Sequence, residues 1–164
     1  MAEKPSSPRS WALRRGRRSQ VGRVYLVTTT THGRRPLFRD ASYAQCVAEA
    51  LRVAQECGDV ETFAYVIMPD HLHWLFWLRA GTLSRVVGQM KAASAARINR
   101  LSGTTGNRVW QPGFYDHALR SEESLLGRAR YVIENPVRSG LVAKPEDYPH
   151  WFCCWDVAKD EWRP

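Results

Sequence analysis

The sequence predicts an α+β fold: a ferredoxin-like split βαβ antiparallel sheet with one additional helix. Three observations lead there. An apolar run from Phe63 to Met68 meets Pro69-Asp70 and resumes as HLHWLFWL up to Leu78, which reads as two strands joined by a tight turn. Around that hairpin, strand-like and helix-like periodicities follow one another in the order β-α-β-β-α-β-α. The 164 residues are 44% hydrophobic, enough for one domain with a sizeable core. In such a sheet the third strand is central.

Each element has its own signal. Residues 1–20 hold the cluster Arg14, Arg15, Arg17 and Arg18 among serines and prolines, the composition of a flexible basic arm or of a plain solvated tail. RVYLVTTTT from Arg23 is rich in β-branched residues and forms the first strand. Asp40 can cap a helix whose buried stripe is Tyr43, Cys46, Val47, Ala50, Leu51 and Ala54, ending at Gly58. After the hairpin, Thr82 can cap a second helix with Leu83, Val86, Val87, Met90, Ser94 and Leu101 near one stripe. Lys91 falls at the edge of that stripe. Val109–Leu119 reads as a strand broken by Pro112-Gly113, hence a bulge or an edge. Ser121 opens a third helix with Glu122 and Glu123 in its first turn. Its buried stripe is Leu125, Ala129, Val132 and Ile133. Tyr131 lies well off that stripe at ~100° per residue, with Asn135 one turn later and Arg128 on the same side. Pro136 should end this helix. Beyond Leu141 the chain reads as irregular, with Trp151 and Trp155 packing it onto the body. The units expected are an arm (1–20), a body (21–145) and a tail (146–164).

Composition bounds the function. Net charge is +8 and the pI about 9.7, which suits a polyanionic partner such as nucleic acid or simply a soluble basic protein. No span is long and apolar enough for a membrane helix, and the N-terminus has no apolar signal segment. Cys46, Cys57, Cys153 and Cys154 form no CxxC pair. Reduced thiols in the cytoplasm are expected. In the second strand of the hairpin, Leu72, Trp74, Phe76 and Leu78 share one face, and His71 and His73 share the other. Two imidazoles at i and i+2 can converge on one metal ion, or they can be ordinary hydrogen-bonded sheet histidines.

Four segments together decide between those readings: GRVYLVTTTT, VIMPDHLHWLF, WQPGFYDHALR and RARYVIENPVRSGLV. In this order and spacing, over about residues 22–148, the chain resembles the REP-associated tyrosine transposases of the single-tyrosine HUH superfamily. The resemblance implies a ferredoxin-like catalytic domain whose additional helix carries a nucleophilic tyrosine, here Tyr131. It implies metal ligation by His71, His73 and Asn135, with Mg²⁺ or Mn²⁺ as the ion. The implied substrate is single-stranded DNA from palindromic elements that fold into hairpins. Monomer and dimer are not distinguished.

The chemistry is phosphoryl transfer. A cation neutralises the phosphate and a phenol attacks it, leaving a 5′-phosphotyrosine and a free 3′-hydroxyl. Tyr115 in FYDH competes for the nucleophile's role. Lys91, His117, Arg120 and Arg128, with the four arginines of the arm, are candidate DNA contacts. Two other classes remain alternatives: a non-catalytic binder of structured single strands, and a zinc hydrolase built on HxH. The second lacks an HExxH motif.

Overall fold

The computed structural model describes residues 19–121 and 123–156, and the backbone of 161–162. The arginines of the arm and Glu122 lie outside these residues. A five-stranded antiparallel sheet runs through the body in the order β4-β1-β3-β2-β5. Its strands are β1 (Val24–Thr30), β2 (Val60–Met68), β3 (His71–Leu78), β4 (Tyr115–Ala118) and β5 (Trp151–Cys153). The first four reproduce the split βαβ arrangement, and β3 is central. Pro69-Asp70 joins β2 to β3 as a two-residue turn, pairing Met68 with His71.

Two helices cover one face. α1 (Ala41–Glu56) starts where the Asp40 carboxylate accepts from the Ser42 N–H at 2.9 Å. α2 (Leu83–Leu101) is capped by Thr82, whose hydroxyl accepts from Arg85 N–H. Under them lies a core of Leu72, Trp74, Phe76 and Leu78 from β3 with Val47, Leu51, Val86, Val87 and Met90. The buried stripe of α2 runs on to Ile98 rather than Leu101, which is 60% exposed. Ile98 follows Ser94 by one turn, and Leu101, though close to Ser94 in phase, is the last residue of the helix and lies past the core that the stripe covers.

α3 (Leu125–Ile133) packs alone on the opposite face, where Ala129, Val132 and Ile133 meet Leu26 and Leu75. Its cap is Ser124, which accepts from Gly127 N–H at 3.0 Å, and not Ser121. Glu123 therefore precedes the helix, its carboxylate turned to the Arg120 N–H and to the side chains of His117 and Arg128 instead of the first turn. Pro136 does not end the helical stretch as expected: α3 stops at Ile133, and a further turn, α4 (Asn135–Arg138), follows at once with Pro136 in its first turn. A proline is tolerated there because its missing N–H has no partner to lose.

Two more differences concern strands. The break at Pro112-Gly113 separates a single bridge, Thr31 to Trp110, from the edge strand β4. Beyond Leu141 the chain is not wholly irregular: Trp151–Cys153 adds β5 to the outer edge of β2. A short pair, β6 (Trp155–Asp156) and β7 (Glu161–Trp162), follows. Trp151 and Trp155 do pack onto the body, Trp155 stacking 5.4 Å from Phe63. All four cysteines are free. Among the described residues no helix is long and apolar enough to cross a membrane.

Candidate active site

The site lies on the α3 face. Register across β4, β1 and β3 places Tyr115 opposite Thr28, and Thr28 opposite His73. Alternation puts these three on one face, with His117 and Leu26 on the adjoining rung. Arg128 and Tyr131 of α3 close the other side of a cleft of about 290 Å³. His73, His117, Arg128 and Tyr131 are thus brought together.

The two hairpin histidines are held through the same ring atom. His71 donates from Nδ1 to the Asp70 carboxylate at 2.6 Å, and His73 Nδ1 lies 2.9 Å from Thr28 Oγ1. Both Nδ1 atoms are engaged by these partners, so Nε2 is the nitrogen of each ring outside those bonds. The rings stand edge to face, 4.9 Å apart. Burial, with the charges of His71 and Arg138, pushes His73 down to about 4, so it is neutral at physiological pH. Burial opposes ionisation of Asp70, but bonds from His71 and Arg34 outweigh it and keep the carboxyl below its ordinary range.

Tyr131 is 44% exposed, unusual for an aromatic on a short packed helix. The guanidinium of Arg138 lies over its ring, 4.1 Å from the centroid, and donates to the Tyr131 carbonyl at 2.5 Å. Asn135 donates its amide N–H groups to the carbonyls of Tyr131 and Val132, both at 3.1 Å. These bonds tie α4 to the end of α3. They also fix which atom of Asn135 could meet a cation, because only the carbonyl oxygen remains as donor.

The donor chemistry fits a divalent ion: two imidazoles held through Nδ1, and one amide oxygen. Among the described residues, no group of three His, Cys, Asp or Glu side chains could hold a metal. A set completed by an amide falls outside that combination.

Glu123 is the hub beside the cleft. Its oxygens lie 2.8 and 3.0 Å from His117 Nε2, and it accepts from the Arg120 N–H at 3.1 Å and from Arg128 Nε at 2.9 Å. The Arg120 N–H, then Arg128, then His117, hold this carboxyl down at about 2. Lys91 is turned elsewhere. Its ammonium donates to the carbonyls of Gln111 and Gly113 and braces the broken strand.

A family model described as "Transposase IS200 like" matches residues 21–134. The chain belongs to this family. As an IS200-like transposase it is an enzyme of DNA transposition. It is 26% identical over 140 residues to the REP-associated tyrosine transposase of Escherichia coli K12, covering 84% of this chain and 81% of that protein. It also superposes on a solved structure of a REP-associated tyrosine transposase bound to a REP hairpin. That match has a TM-score of 0.67 and 25% identity, over 82% of this chain and 79% of the other.

Sequence reasoning on this transposase missed Arg138 and Glu123. Arg138 had a signal, because Tyr131, Asn135 and Arg138 stand at i, i+4 and i+7 of one helical face. Glu123 reads in the sequence as a first-turn residue, and only the later cap at Ser124 leaves it for His117, Arg120 and Arg128 within six residues of it.

Proposed function

We propose that this transposase is a metal-dependent single-stranded DNA endonuclease and strand transferase. Its substrate is a REP-type palindromic hairpin with a single-stranded flank, and its intermediate is a 5′-phosphotyrosine on Tyr131. The observation that carries the proposal is the exposed Tyr131 ring, which lines one cleft with His73 of the strand that carries both histidines.

His71, His73 and Asn135 would hold Mg²⁺ or Mn²⁺. When bound, the cation supplies charge neutralisation at a phosphate oxygen. Tyr131 Oη attacks phosphorus while the bond from phosphorus to the 3′ oxygen breaks. One ester replaces another, so no nucleotide cofactor is consumed. A 3′-hydroxyl can later attack the phosphotyrosine and rejoin strands. Arg138 holds the ring by stacking and by its bond to the Tyr131 carbonyl. Arg128, Arg120 and the arginines of the arm supply positive charge for the DNA backbone.

The test is incubation of labelled hairpin DNA with the full chain and Mn²⁺, then denaturing electrophoresis and mass spectrometry of the DNA-linked peptide. A peptide containing Tyr131 is expected. Linkage at Tyr115 would reassign the nucleophile. Hairpin binding with no linkage in any condition would favour the non-catalytic binder.

A further inference from the structure

A phenol attacks poorly until its proton leaves, since the free group has a pKa near 10. The question is which side chain takes that proton. His71, His73 and Asn135 are unsuited, because their free donor atoms would be committed to a cation if they hold one. Lys91 is engaged by two carbonyls. Asp70 is engaged by His71 and Arg34. Glu134 pairs with Arg138 at 3.5 Å. Asp116 lies on the other face of β4 by alternation. His117 alone remains in the cleft with Tyr131.

We propose that His117 is the general base for Tyr131, and that Glu123 is the positioning residue that orients its imidazole. This rests on the reading of Tyr131 as nucleophile. Glu123 faces Nε2 with both oxygens. An ionised carboxylate accepts there, so in the neutral ring the proton sits on Nε2 and Nδ1 is the nitrogen left to act as base. Tyr131 and His117 line one cleft and Glu123 holds the imidazole, so the three would take the roles of nucleophile, base and orienting carboxylate in a triad. Glu123 is itself fixed by the Arg120 N–H and by Arg128, so the ring's orientation is set before DNA arrives. The other titratable groups lining the cleft are Tyr115, Arg128 and His73.

In the forward step the Tyr131 O–H bond breaks and its proton passes to His117 Nδ1. The phenolate oxygen bonds to phosphorus, the bond to the 3′ oxygen breaks, and that oxygen takes a proton from solvent. Glu123 balances the imidazolium. On rejoining, a 3′-hydroxyl loses its proton to solvent as its oxygen bonds to phosphorus, the bond from phosphorus to the Tyr131 oxygen breaks, and the imidazolium returns its proton to the departing phenolate.

The experiment is single-turnover adduct formation by the full chain on a labelled REP-type hairpin with Mn²⁺, alongside hairpin affinity. His117→Ala should slow adduct formation by about 10²–10⁴-fold with affinity unchanged. Added imidazole should restore much of the rate. Glu123→Gln should also slow the reaction, and imidazole should not restore it, because the ring is present but misdirected. Should His117→Ala fail to fold, His117→Gln retains a donor towards Glu123 and should show the same loss with affinity kept. A wild-type rate in a folded His117 variant would overturn the inference, as would a loss in His117→Ala that imidazole leaves untouched. If the wild-type protein forms no adduct at Tyr131, the functional reading fails, and this inference with it.

Discussion

The two faces of β3 come from one eight-residue strand and have opposite fates. Leu72, Trp74, Phe76 and Leu78 are all fully buried under α1 and α2. On the other face Leu75 is sealed by α3, whereas His71 and His73 remain only partly covered. Two long helices close one side of the sheet. One nine-residue helix covers the other side incompletely, and the uncovered part is the cleft. The lesson is that a rigid, dry face holds the strand while its reverse is free to carry polar groups at fixed spacing.

Substitutions should therefore split by parity. The largest effect is expected on the open face. Tyr131→Phe, His71→Ala and His73→Ala should each abolish adduct formation while hairpin binding and the unfolding transition persist, and chelator should act like the histidine changes. Cleavage that survives in the double histidine variant with chelator present would remove the metal site.

On the closed face the order reverses. Trp74→Ala deletes a buried ring and its bond from Nε1 to Thr62 Oγ1. It should cost about 3–5 kcal/mol in urea denaturation, with activity lost only through unfolding. A smaller loss would mean that the face can collapse around the void.

Acid should expose the contrast more gently. Folded His73 stays neutral down to about 4, whereas an unfolded histidine titrates near 6.5. Between those values the unfolded chain binds more protons. The contribution is therefore complete above about 6.5 and falls away as pH drops towards 4, by roughly 2–4 kcal/mol. Denaturation curves across that range should show it, and His73→Gln should flatten them.

The smallest effect concerns the arm. Removing residues 1–18 should reduce the salt dependence of hairpin binding by an amount set by the phosphates it touches. An unchanged slope would make the arm a bystander.

The hairpin and both its faces were legible because a period of two over eight residues leaves one assignment of sides. The caps Asp40 and Thr82 were legible for a similar reason, each standing directly before a helical stripe. Ser121 misled because Ser124 offers the same chemistry three residues later, and packing of Leu125 decides between them. β5 was hidden because three residues carry no period, and only the unpaired edge of β2 makes a strand of them. The roles drawn for Tyr131 and Asn135 came from a motif. Composition could not have supplied them, nor the bond by which Thr28, 45 residues away, fixes His73.

The late arrival of β5 has a consequence in time. Ile67, just before the turn that leads to His71, donates its N–H to the His150 carbonyl and accepts from the Tyr148 hydroxyl. During synthesis, that side of the hairpin waits for residues about eighty positions downstream. A nascent chain halted near residue 140 would already contain both histidines, the tyrosine and the asparagine, yet hold them on a sheet with one raw edge. Synthesis from the N-terminus thus leaves the outer edge of β2 open until this clasp has emerged.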